Sequence, residues 1–124
     1  MSGRFRSLPQ APPSVESAMA LVCTVPASGR NDRRLSVYDV LSRATSAREL
    51  DNGVVFLFEN SDEAARSLLD LVLAERNCCA QFTYSIRFEP EHAPIALRIE
   101  AVGALIQPLK DLFLGLSQQT GRNA

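Results

Sequence analysis

The chain of 124 residues contains one histidine, one lysine and three cysteines, and each scarcity removes a class of function. His92 stands alone between Pro90 and Pro94, in what reads as an exposed turn, so no Ser, His and Asp catalytic set can be assembled. No glycine-rich stretch resembles a phosphate cradle, which removes nucleotide binding of that type. Three cysteines, including the adjacent pair Cys78 and Cys79, make an odd number and no disulfide framework of the kind small secreted domains need; they fit a reducing cytoplasm. Thirteen basic residues against fourteen acidic ones leave a formal charge of -1, so no global positive field draws nucleic acid or an anionic membrane. The longest apolar stretches, such as residues 68–74, are broken by Asp70 and fall short of the roughly twenty residues that span a bilayer. Arg4 and Arg6 are followed by prolines rather than an apolar core, so no export signal is read.

What is present is the composition of one globular domain, 46% hydrophobic and 22% charged, on a chain long enough to bury roughly two thirds of its unfolded surface. Residues 1–16 mix serine, glycine, arginine and three prolines without periodicity and are expected to form a disordered or loosely attached arm. The domain is expected over residues 17–119, with 120–124 as a flexible tail. Residues 19–25 predict a first strand with Met19, Leu21, Cys23 and Val25 on one face. Val37, Val40, Leu41 and Ala44 recur at helical spacing and predict a helix near 33–46, capped by Asp32.

Asp51, Asn52 and Gly53 make a turn into Val54–Phe58, a β-branched and aromatic run expected of an interior strand. Asn60 and Glu63 resemble a capping box, opening a helix over 61–79 with a buried stripe of Ala65, Leu68, Leu69, Val72 and Cys79. Phe82, Tyr84, Ile86 and Phe88 alternate with polar residues, as do Ile95, Leu97, Ile99 and Ala101, and the loop at 90–94 joins them as an antiparallel hairpin. Pro108 belongs near the first turn of a last helix carrying Leu109, Leu112, Phe113 and Leu116. The order β-α-β-α-β-β-α predicts an α+β two-layer sandwich: a mixed sheet of about four strands, its first three strands candidates for parallel neighbours, with helices packed on one face. The other face is then a natural surface for a homodimer.

One constellation carries chemistry. Glu75, Cys78 and Cys79 fall at i, i+3 and i+4 near the carboxyl end of the second helix, so the carboxylate shares a face with both sulfurs. Adjacent helical side chains diverge by about 100°, so the two sulfurs meet only if the last turn departs from helical geometry. On the stripe read above, Cys79 is core and Cys78 sits nearer the helix end, partly accessible. The negative helix terminus and Glu75 favour a protonated thiol and disfavour a nucleophilic cysteine, so the chemistry is that of cation binding rather than catalysis. Thiolates select soft ions such as Zn(II), Cu(I) or Hg(II), and Cys23 is the remaining sulfur that could complete a set of Cys23, Glu75, Cys78 and Cys79. The bland alternative, cysteines buried as small hydrophobes, stands beside it, because no CxxC pair or His-rich tract is present.

From Val54 onward the pattern resembles a family of small, mostly uncharacterised bacterial proteins. The features that carry the resemblance are a glycine-led strand (Gly53, Val54, Phe56, Phe58), a helix ending Glu75, Arg76, Asn77, Cys78, Cys79, an aromatic strand (Thr83, Tyr84, Phe88, Glu89, Pro90) and the pair Leu97 and Arg98. Cys23 and Thr24 fit its upstream strand. Ala80 and Gln81 stand where the family usually has a proline and an aromatic, and Ala96 where tryptophan is common. Similar segments accompany heavy-metal-responsive regulators of the MerR type, so the resemblance implies a link to thiophilic metals and a regulatory partner protein. Two functions are therefore expected to compete: a cytoplasmic soft-metal or thiol-ligand binder, and a non-catalytic interaction or dimerisation module with buried cysteines.

Overall fold

The computed structural model describes the backbone of residues 30–122 and the side chains of residues 36–115. The expected arm at 1–16 and first strand at 19–25, Cys23 included, lie outside the described residues. The elements run in the order α1 (Arg30–Leu41), β1 (Ser46–Leu50), β2 (Gly53–Phe58), α2 (Asp62–Cys78), β3 (Thr83–Arg87), β4 (Ile95–Glu100), a 3-10 turn (Gly103–Leu105) and α3 (Ile106–Arg122).

The α+β class and a sheet of four strands are as expected, but the strand expected at 19–25 lies outside the described residues, Ser46–Leu50 supplies an unforeseen one, and the sheet expected to be mixed is antiparallel in its described pairings. The sheet has strand order β1-β2-β4-β3, and every described pairing is antiparallel. Because β2 and β3 both run against β4, they point the same way without touching; β2, α2 and β3 form a crossover whose two strands are split by β4. The parallel neighbours expected from the element order are thus separated by an inserted strand. The interior position of β2 is as expected.

Val54, Phe56 and Phe58 of β2 face Ile99, Leu97 and Ile95 of β4 across the ladder, and all six are buried. Leu68 and Leu71 of α2 and Leu109, Leu112 and Phe113 of α3 join them, with Val37 and Leu41 of α1 completing one core. Thr83, Ser85, Arg87 and Arg98 point to the opposite, exposed face, so the helices cover one side of the sheet. The lone lysine links the layers at their edge: Lys110 Nζ on α3 lies 3.0 Å from Glu49 Oε2 on β1.

Local corrections follow from hydrogen bonding. The first helix ends at Leu41 rather than 46, and Asp32 lies inside it rather than at its cap. Its exit tightens through Arg43 N–H to Val40 O and Ala44 N–H to Leu41 O, and Thr45 N–H then donates to Leu57 O, starting the sheet. Ser46–Leu50 is almost wholly exposed, so it carries no alternation of apolar residues from which a strand could be read. The cap of α2 is Ser61, whose Oγ accepts from Ala64 N–H at 3.1 Å, while Asn60 Nδ2 instead donates to Ala93 O in the β3–β4 loop. Pro108 sits in the first turn of α3 as expected; that helix runs on to Arg122, through the start of the expected tail, and the Leu116 side chain lies outside the described ones.

Candidate functional site

The buried stripe of α2 is Leu68, Leu71, Glu75 and Cys78, at i, i+3, i+7 and i+10. It is rotated from the expected stripe: Leu69 is 51% exposed and Leu71 is buried in its place, while Cys79 is core as expected and Cys78 joins it there. The expectation that Cys78 is partly accessible is therefore corrected, for it is 5% exposed, against 1% for Cys79.

Cys78 is the last helical residue. Cys79 caps the helix with φ -123° and ψ 68°, outside the helical region, while its N–H still donates to Glu75 O at 2.6 Å. That single departure swings the Cys79 side chain back, and the two sulfurs lie 3.8 Å apart, well beyond the about 2.05 Å of a disulfide. The Cys79 thiol also points toward Glu75 Oε1 at 3.9 Å. Three of the four residues singled out from the sequence thus meet at one place; Cys23 lies outside the described residues.

Glu75 is 3% exposed and is the one charged residue buried among the described side chains. A carboxylate seldom occupies such a place without a compensating partner, because removing its charge from water is costly. The site is walled by α2 and by the strand that follows it. Phe82 packs edge-on against Phe113 with ring centroids 6.2 Å apart, and its N–H donates to Cys79 O at 3.3 Å. The Tyr84 hydroxyl donates to Cys79 O at 3.1 Å and lies 3.4 Å from Glu75 O.

Tyr84 is the residue whose role was not foreseen. The last carbonyls of any helix need donors from outside it, and α2 meets that need with a tyrosine on the neighbouring strand. Alternation places Tyr84 on the core side of β3, but nothing in the sequence says that its hydroxyl reaches the helix end.

Among the described residues, no group of three or more His, Cys, Asp or Glu side chains is disposed to hold a metal ion. What converges is a pair of sulfurs with a carboxylate beside one of them. His92 is exposed in the hairpin loop, as expected. Two cavities, of about 260 and 340 Å³, lie between α1 and α2 around Val40, Arg43 and Ser67, away from the sulfurs. Among the described residues, no helix is long and apolar enough to cross a membrane. Comparison with protein-family models, curated proteins and solved structures finds no match to this chain.

Proposed function

We propose that the protein binds a soft, thiophilic ion between Cys78 and Cys79. The observation that carries this reading is the 3.8 Å separation of the two sulfurs beside a buried carboxylate. Two metal–sulfur bonds of about 2.3 Å at a tetrahedral angle set their sulfurs about 3.8 Å apart, so one ion can bridge the pair without moving the backbone. Zn(II) and Hg(II) are the soft ions this donor pair selects. Glu75 supplies a carboxyl group next to the site, and Cys23 is the candidate for a further sulfur.

Reduced thiols at this spacing require a reducing compartment, which makes the cytoplasm part of the reading. The resemblance of the segment Glu75–Cys79 to segments that accompany MerR-type regulators supports a regulatory protein as partner. Titration of the reduced protein with Zn(II) or Hg(II) is expected to show stoichiometric binding that Cys78→Ser abolishes. Binding unchanged in that variant removes the proposal, and Cys23→Ser reports whether the third sulfur contributes.

The burial of both cysteines favours a second reading, an interaction module whose thiols are structural. Its surface is the outer sheet face, where the register aligns Arg48, Val55, Arg98 and Ser85 in one row. A homodimer in sedimentation equilibrium, together with native thiols inert to maleimide and to metal, would favour this module.

A further inference from the structure

We infer that the Cys78–Cys79 pair takes trivalent arsenic, as its neutral trihydroxide, by condensation; this rests on the thiophilic-ion reading above and narrows its ligand class. Three observations lead there. The pair offers two sulfurs close enough for one atom to bridge, and no described third His, Cys, Asp or Glu joins them as a ligand set. A ligand that brings its own third group suits such a site better than a bare cation. The pair is also sealed, at 5% and 1% exposure, between α2 and Phe82, where an added net charge would be costly. Finally, the Cys79 sulfur lies 3.8 Å from the Cys78 sulfur and 3.9 Å from the Glu75 carboxyl, so a ligand that bonds to both thiols displaces their protons, and one that carries its own hydroxides takes them away as water.

Arsenic trihydroxide satisfies all three conditions. Each thiol sulfur forms one arsenic–sulfur bond as one arsenic–oxygen bond breaks, and each departing hydroxide leaves as water with one thiol proton. Two thiols and one trihydroxide give a dithiolate arsenic hydroxide and two waters. Arsenic stays trivalent, nothing is oxidised or reduced, and the buried site gains no charge. Ala80 and Gln81, exposed in the turn after the helix, give the pair its nearest route to solvent when the last turn opens.

The test is intact-mass spectrometry of the reduced full-length protein with sodium arsenite, followed by fragmentation of the loaded chain. One arsenic per chain is expected, the added mass falling within residues 77–87, unchanged in Cys23→Ser and lost in both Cys78→Ser and Cys79→Ser. Fragmentation of the unsubstituted chain locates the arsenic even where a serine variant fails to fold. Arsenic lost in Cys23→Ser, or placed outside residues 77–87, overturns the two-thiol site. Hg(II) bound at the pair with no arsenic bound overturns this inference and leaves the broader reading standing; neither ion bound at the pair overturns both.

Discussion

The Tyr84 hydroxyl donates to the carbonyl oxygen of Cys79 at 3.1 Å, tying the strand β3 to the residue at which α2 leaves helical geometry. The same hydroxyl lies 3.4 Å from Glu75 O, so one phenol covers two carbonyls at the helix end. Tyr84→Phe keeps the ring and removes only this donor. We expect a loss of about 1 kcal/mol, the usual net worth of one such hydrogen bond, read as a lower urea midpoint with an unchanged slope. We also expect faster maleimide labelling of native Cys78 and Cys79, since the cap that holds them closed is loosened.

Gly53 opens β2 where its backbone passes very close to β4. A Cβ at this position would lie 2.0 Å from Ile99 O and 2.9 Å from Glu100 Cα, both backbone atoms that cannot swing aside. Gly53→Ala must therefore push the two central strands apart or shift their register. A destabilisation of about 2–4 kcal/mol is expected, within the range of overpacking in a tight core, and thermal unfolding monitored by circular dichroism measures it.

The turn between β3 and β4 carries two non-glycine residues in the left-handed region, Glu91 at φ 63° and His92 at φ 58°, closed by Ala93 N–H donating to Pro90 O. Positive φ at both central positions is what Asn-Gly satisfies with least strain. Replacing the pair, as Glu91→Asn with His92→Gly, should raise stability by about 1 kcal/mol. The gain should appear as a higher thermal midpoint with metal binding unaltered, because the turn lies outside the cysteine site.

The rotation of the α2 stripe makes a paired prediction. Leu71 is buried at i+3 from Leu68, whereas Leu69 is half exposed. Leu71→Ala should cost about 2–4 kcal/mol through lost burial and the cavity left behind. Leu69→Ala should change stability by less than about 1 kcal/mol. Equal losses in denaturant titrations would show that the helix presents the other face.

Most of the architecture was legible because the apolar run of β2 and the apolar periods of β4 and α3 agree with their burial. Ile95, Leu97, Ile99 and Ala101 are buried in strict alternation, and Leu109, Leu112 and Phe113 at helical spacing. What escaped was fixed by partners rather than by local pattern. β1 is an exposed edge strand held by its register with β2, and Phe88, expected with the core residues of β3, is 59% exposed because the strand ends at Arg87. In the site, the meeting of Glu75 with both sulfurs could be read from spacing once the last turn was allowed to depart from the helix. The rotation of the stripe could not, since the expected positions 65, 68, 69, 72 and 79 and the observed positions 68, 71, 75 and 78 share Leu68 and differ by only about a quarter-turn.

The split crossover has a consequence for synthesis. β4 is the last strand of the described sheet to leave the ribosome, yet its place is in the middle, between β2 and β3. A nascent chain that stops short of residue 95 therefore has a gap where its sheet should close, and the inner side of β2 has no strand to pair with. The layer that roofs the dithiol is completed from the carboxyl-terminal half, so assembly here is an act of late insertion rather than growth from one edge.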